Sequence, residues 1–441
     1  MKKIVFAVLA VAFALSLPAV SETRLTPERS VLENGVVLLT SEQRALPMVM
    51  LHFLIQAGSR YDAEGREGLA NLTSRLLTYG TRDKTALQIS EILDFIGASL
   101  STSCGQDVAT VSLTVLKKDL DTGLNLLAEV LTASVFSPEE IERQKQSVIA
   151  SIRAKDEDPG QVAQIKFSEA LFPRSPYGRQ VEGSEDSLKR ADRAQLLEFY
   201  ERFYRPERTI LAVVGDISHQ EIAQKLTQAF RPWKKGAAIK DSPPVSPPGP
   251  ANIIRVNKTI TQANITMGHG GVRRSDPDYY AIQVMNYILG GGGFSSRLMD
   301  SVRNERGLAY SVSSHFSAEK YVGSFAVTMQ TKNETAQEAI RIAKEEIQRI
   351  RQEKVKDQEL QDAQDYLIGS FPLRLDTNRA VANFLSLVEF YGLGLGYPEQ
   401  YPELIRRVSQ EDVLRVAKKY LQPEKLIVVV VADQKKAQIQ K

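Results

Sequence analysis

Cysteine is almost missing: Cys104 is the only one in 441 residues. One thiol allows no internal disulfide, so stability has to come from apolar cores. Cys104 itself reads as a small strand residue headed for the interior rather than as a nucleophile. Histidine is nearly as scarce. His52, His219, His269 and His315 are the whole set, and no two stand three or four residues apart. That is the spacing at which one helix offers two imidazoles to a zinc ion, so these four read as satisfied or surface histidines. An excess of one charge is missing too. The chain carries 56 basic and 53 acidic residues, a net charge of +3, with no basic cluster interleaved with aromatics, which argues against a nucleic-acid binder. Long apolar runs are absent except at the start. There Lys2 and Lys3 precede IVFAVLAVAFALSL, a run of 14 residues that Pro18 ends. A membrane span needs about 20. Ala19-Val20-Ser21 then supplies small residues at the positions a signal peptidase reads. The expectation is a secretory signal peptide over 1–21, cleaved after Ser21, with an uncleaved anchor as the rival. The run is neither amphipathic nor Arg-rich, unlike a mitochondrial presequence, and no cysteine follows it to take a lipid.

What is present is written twice. FYRPERTILAVVGD (203–216) aligns with YLQPEKLIVVVVAD (420–433), an offset of 217 residues. Each has a proline, a glutamate, a basic residue, an apolar strand and a closing aspartate. The preceding helices match at the same offset, with Asp192 and Ser409 at corresponding N-cap positions. LIQAGSRYD (54–62) corresponds loosely to MGHGGVRRS (267–275). So long a period means two homologous domains rather than a solenoid. KKGAAIKDSPPVSPPGP (234–250) is rich in Pro, Gly and Ser and reads as an extended linker. The expected domains are 22–233 and 251–441. In the first, strands are expected at 35–41 and 48–56, then the helix opening near 68 and a second near 86–96. SLSTSCGQDVATVSLTVL (99–116) alternates as two antiparallel strands. Helices near 119–133 and 138–156 and a buried strand at 209–215 follow. The fold class is α+β, with each domain an antiparallel sheet and helices packed on one face.

GLANLTSRLLTYGT (68–81) has Leu69, Leu72, Leu76 and Leu77 on one helical face. Asn71, Ser74 and Arg75 stand at i, i+3 and i+4, where a zinc helix would place two histidines and a glutamate. Amide and hydroxyl are poor zinc ligands, and a fixed guanidinium repels the metal. GSRYDAEGREGLANLTSRLLTYGT resembles the first-helix segment of the M16 family of zinc peptidases (insulinase-like, pitrilysin and mitochondrial-processing-peptidase types). Gly58, Arg60, Tyr61, Gly68, Leu69, Ala70, Gly80 and Thr81 match that pattern as they stand, and the repeat, the linker and the FYRPER–strand–GD element fit the family across the mature chain. The resemblance implies two M16-type domains joined as half of a clamshell. It also implies an inverted zinc motif, His-x-x-Glu-His, whose histidines fall on Asn71 and Arg75 and whose base falls on Ser74. The third ligand, a glutamate about 75 residues further on, falls on Ser151. All four positions lack the required chemistry, so no cofactor is expected in this chain.

GGGGFSSRLMDSVRNERGLAYSV (290–312) carries the second half's most informative residues. Gly290, Gly291, Gly292 and Gly293 give backbone freedom and close approach, and no Gly-Lys-Ser/Thr continuation marks a phosphate loop. Taken alone, Arg303 and Tyr310 are an arginine in a surface ion pair and a packed tyrosine. Arg297 reads as structural. The resemblance gives the pair another meaning. The family's second domain carries an arginine and a tyrosine at this spacing, which grip the substrate backbone and donate to the developing oxyanion. It implies that the glycines and Ser295 line the substrate path. Bacterial relatives of this size work as two-chain assemblies, one bearing zinc and the other the Arg/Tyr pair. Three readings follow. The first is a non-catalytic, substrate-binding subunit of an exported, periplasmic heterodimeric metallopeptidase, acting on unfolded peptides beside a homologous partner that holds the zinc. The second is a silent scaffold or binding protein without a peptidase partner. The third, a self-sufficient enzyme of another mechanism, finds no nucleophile–base constellation. No membrane contact is expected once the signal is removed.

Overall fold

Capped helices and apolar strands alternate along both halves of the computed structural model, which describes residues 25–173, 175–239 and 249–440. The expected signal segment and most of the expected linker lie outside these residues. The first half runs β1 (Glu28–Val31), β2 (Val37–Glu42), β3 (Met48–Ile55), α1 (Leu69–Leu76), α2 (Ala86–Phe95), β4 (Ser99–Cys104), β5 (Ala109–Leu116), α3 (Leu120–Thr132), α4 (Pro138–Glu157), α5 (Pro159–Leu171), α6 (Glu185–Arg190), α7 (Arg193–Phe203), β6 (Thr209–Gly215) and α8 (His219–Ala229). The second runs β7 (Asn252–Asn257), β8 (Gln262–Gly270), α9 (Tyr279–Asn286), β9 (Ala309–Ala318), β10 (Gly323–Lys332), α10 (Ala336–Gln352), α11 (Asp357–Gly369), α12 (Asn378–Tyr391), α13 (Tyr397–Arg406), α14 (Gln410–Tyr420), β11 (Ile427–Ala432) and α15 (Gln434–Ala437).

Each half builds one sheet. The orders are β1-β2-β6-β3-β5-β4 and β7-β11-β8-β10-β9. Pairing is antiparallel except for β2 with β6 and β7 with β11. The two repeat strands, β6 and β11, are internal and buried at every residue, as an uninterrupted Ile/Val/Leu run requires. The matched helices in front of them start alike. Asp192 accepts from the Gln195 amide and Ser409 from that of Asp412, each within a capping box, which satisfies amides that would otherwise have no partner.

The helical layer on one face of the first sheet joins α1, α3, α4, α7 and α8 in a single core, with Leu72, Leu127, Ile149, Leu196 and Leu226 at its centre. The opposite face is covered by a helix from the other half. On α12, Val381, Ala382, Leu385 and Phe390 pack against Leu39, Met50, Leu54 and Val214 of the first sheet. Reciprocally, Val162, Ala163, Phe167 and Leu171 of α5 pack against Ile427, Val429 and Val431 of the second. The halves thus exchange one helix each. The structure carries this beyond the one-faced packing expected from sequence, because a sheet of buried Ile and Val needs apolar cover on both sides.

A polar contact pins the same junction. The Arg60 guanidinium lies 3.2 Å from Asp107 and 4.5 Å from the ring centre of Tyr321, which stands between β9 and β10. Tyr177 donates to Asp107. Both members of the ion pair are buried, and both have further partners, the condition under which a buried charge is tolerated.

Candidate functional site

The first candidate, on α1, is held rigidly. Asp62 accepts from the amides of Gly68 and Ala70, each at 2.9 Å, so its carboxylate fixes the start of the helix. Burial pushes that carboxyl up to about 7. From there Leu69, Leu72 and Leu76 turn into the core and carry Asn71, Ser74 and Arg75 with them. The Ser74 hydroxyl donates to the Ser103 carbonyl of β4 at 3.0 Å. Arg75 reaches across to α4 and donates to Gln144 at 3.2 Å and to Ser147 at 3.4 Å. Ser151, one turn further along α4, is exposed. Asn71 Oδ1 is buried with no hydrogen-bond partner.

These residues do not fit a zinc ion. A hydroxyl already committed to a backbone carbonyl, one amide oxygen and a serine facing solvent do not make three ligands, and the Arg75 cation occupies the gap between the two helices. Among the described residues no group of three His, Cys, Asp or Glu is placed to hold a metal. The four histidines sit elsewhere. His52 is buried and bonded through Nδ1 to the Ser112 hydroxyl at 2.8 Å, and burial, with Arg379 nearby, lowers it to about 4. His219 bonds to Thr40, His269 accepts from the Gln422 amide, and His315 is exposed. Cys104 is half-buried at the end of β4, and burial around its sulfur pushes the thiol well above its usual range, away from nucleophile chemistry.

The second candidate lies at the open edge of the second sheet, on β9. Helix α9 continues into a wide π-turn over Tyr287–Gly291, and a second π-turn spans Met299–Asn304; such turns place side chains that a regular helix would misdirect. Gly290 is buried where these turns meet β9, and a Cβ there would come within 2.5 Å of the Ser314 hydroxyl. Its smallness serves close packing. Gly291, Gly293 and Ser295 are exposed and Gly292 is half-buried. Arg303, on the second π-turn, accepts at its carbonyl from the Gly307 amide at 2.8 Å. Gly307 takes the left-handed conformation, φ +61°, that glycine adopts without strain. The chain then enters β9 through an irregularity. Gln330 faces Ser311 and the next residue, Thr331, faces Ala309. Tyr310 is the extra residue of a bulge, a device that re-aims a side chain.

The bulge leaves Tyr310 74% exposed and brings its ring centre 5.2 Å from the Arg303 guanidinium. Phe294 also lies against Arg303, its ring centre at 4.8 Å and the residue 71% exposed. The cation thus meets two rings, each contact worth about 0.5–1 kcal/mol at an exposed site. Arg297, by contrast, forks onto Glu359 at 2.7 and 2.8 Å and is structural, as expected. The structure brings Arg303 and Tyr310 together, adds Phe294, and keeps α1 with its three altered positions in the other half. Phe294 was not singled out from sequence. Its signal was a large aromatic after four glycines, where nothing local could bury it.

Two family models match this chain. Residues 37–185 match the insulinase family, peptidase family M16, and residues 190–367 match the domain described as peptidase M16 inactive domain. An uncharacterized zinc protease of Streptomyces coelicolor is 26% identical over 406 residues, 90% of this chain and 87% of that one. A non-peptidase homolog, YmxG, of Helicobacter pylori is 24% identical, over 91% of this chain and 93% of its own. Among solved structures, a peptidase M16 inactive domain from Pseudomonas fluorescens superposes with a TM-score of 0.87 at 29% identity, covering 92% of this chain and 98% of the other.

Proposed function

The chain belongs to peptidase family M16, as a homologue of inactive type, and from that premise we propose that it is the non-catalytic, substrate-binding subunit of an exported heterodimeric M16 metallopeptidase. The hydrolytic zinc belongs to a homologous partner that retains His-x-x-Glu-His. This chain contributes Arg303 and Tyr310 in trans. The guanidinium grips carbonyls of an unfolded peptide in the ground state, because a fork of fixed charge binds whatever carbonyl is offered. The phenol is a neutral donor placed for an oxygen that becomes charged only as the scissile bond is attacked. The stretch Gly291–Ser295, exposed except for half-buried Gly292, lies beside them on the substrate path. The signal peptide expected from the sequence over 1–21 supports a periplasmic setting for the complex.

One observation carries this reading: Tyr310 is exposed by a bulge, and Arg303 lies against the rings of both Tyr310 and Phe294. Neither has a partner in the apolar core that would explain its position. The second reading, a silent scaffold with no peptidase partner, draws its support from the relatives described as inactive or as non-peptidase homologues. Affinity purification of the tagged chain from its native host separates the two. The subunit reading expects a stoichiometric homologue with intact zinc ligands and a complex whose peptide cleavage a chelator stops. Recovery of the chain alone, or with partners lacking that motif, overturns it in favour of the scaffold.

A further inference from the structure

Next to Tyr310 lies a polar pocket of about 240 Å³ between α5 of the first half and strands β8, β9 and β10 of the second. It exists because the halves exchange helices: the N-terminal turn of α5 ends short of β9 and leaves the outer part of that sheet face uncovered. Ser311 of its lining directly follows Tyr310 of the bulge. A bulge sets two consecutive side chains against one on the facing strand, and both Tyr310 and Ser311 are exposed, so the tyrosine shares the side of the sheet on which Ser311 and Ser313 line the pocket.

Its lining is unusual in kind. The polar side chains are the amides of Gln164, Asn264 and Gln330 and the hydroxyls of Thr266, Ser311, Ser313 and Thr328, and no charged residue is among the lining residues. The Ser313 and Thr328 hydroxyls lie 3.2 Å apart across the strands. The side chains of Gln164, Gln330 and Ser311 have no hydrogen-bond partner among the described residues. The volume suits one side chain rather than a drug-sized ligand, which needs upwards of about 300 Å³. An acidic or basic side chain here would lose water and meet no counter-charge. An apolar one would keep water from the Gln164 and Gln330 amides and give them no partner in return, which a site built of such groups disfavours. A neutral side chain that both donates and accepts meets every group.

We propose that this pocket is a specificity subsite for an uncharged amide side chain, glutamine or asparagine, of an extended peptide held by Arg303. The proposal rests on the substrate-binding reading above and adds to it the residue class selected. The probe is a fluorescein-labelled alanine-based octapeptide with a single guest residue, Gln, Glu, Lys or Leu, scanned along its length. Binding to the full chain is read by fluorescence polarisation. At one guest position Gln should bind about tenfold tighter than Glu or Leu. Ser313→Asp, a change at an exposed strand position, should move the preference from Gln to Lys at that same position, and Gln330→Ala should flatten it. Circular dichroism establishes that each variant is folded. Equal binding of all guests, or a preference that Ser313→Asp and Gln330→Ala both leave unchanged, overturns the subsite. Arg303→Ala tests the underlying reading separately. It should weaken every guest alike and keep the Gln preference. A preference that persists while Arg303→Ala changes no affinity leaves the subsite standing and removes the substrate-gripping role of the arginine.

Discussion

Removing one aromatic ring from the first half should loosen the second. Phe167 lies on α5, before the expected linker, but packs on the sheet that follows it, 1% exposed among Ile427, Val429 and Val431. The fit is close enough that a Cβ on Gly268 of β8 would come 2.8 Å from the tip of the ring. A neighbour that must be glycine has nothing with which to fill the space, so Phe167→Ala should leave a cavity rather than a relaxed core. Buried Phe→Ala changes cost about 3–5 kcal/mol. At about 1.4 kcal/mol per factor of ten, the amides that open through loss of this contact should exchange roughly two to four orders of magnitude faster. Native-state hydrogen exchange reads this residue by residue. The amides of Ile427–Ala432 should lose protection together with those of α5. If only residues 138–171 exchange faster and β11 keeps its protection, the helix exchange contributes nothing to the second half, and the account of the fold is wrong.

Acid should weaken the protein through His52. Its folded-state value is lowered from 6.5 to about 4, so below pH 6.5 the unfolded chain binds the proton more tightly. Stability from this group is full above pH 6.5 and declines to pH 4 by at most about 3 kcal/mol; urea unfolding of His52→Gln should show a shallower loss between pH 7 and pH 4 than the unaltered chain. Gly290→Ala should destabilise by about 1–3 kcal/mol through overpacking against Ser314. Gly293→Ala meets no neighbour and only its positive φ, costing about 1–2 kcal/mol; thermal melts of the two variants check both losses. Elemental analysis should find no tightly held zinc in the unaltered chain. About one ion per chain is expected after Asn71→His, Ser74→Glu, Arg75→His and Ser151→Glu together, since the change supplies three ligands and removes the Arg75 cation.

Much of this was legible because it is local. A capping residue, a proline and an apolar run repeat at one fixed offset, and Asp192 and Ser409 do cap their helices. Alternating Ser and Thr at 99–116 announced β4 and β5, which pair as expected. The altered chemistry at Asn71, Ser74 and Arg75 needed no structure, because residue type alone decides what can bind a metal. What stayed hidden depends on partners distant in sequence. The apolar stripes of α5 and α12 do not say which sheet they cover. Arg60 was visible as a match to a pattern, but its place at the junction depends on Tyr321, 261 residues away. The Tyr310 bulge depends on the β10 register, and the uncharged pocket beside it on three strands and a helix from both halves.

The central claim is that this chain contributes its Arg/Tyr pair to chemistry performed by another subunit. The turnover of the reconstituted complex carrying Tyr310→Phe tests it most directly, because phenylalanine keeps the ring beside Arg303 and removes only the donor. Loss of a donor that acts only in the transition state should lower kcat by about 10²–10³ while KM and assembly stay nearly unchanged. Turnover at the unaltered rate would mean that the hydroxyl touches no reacting atom, and the claim would fail.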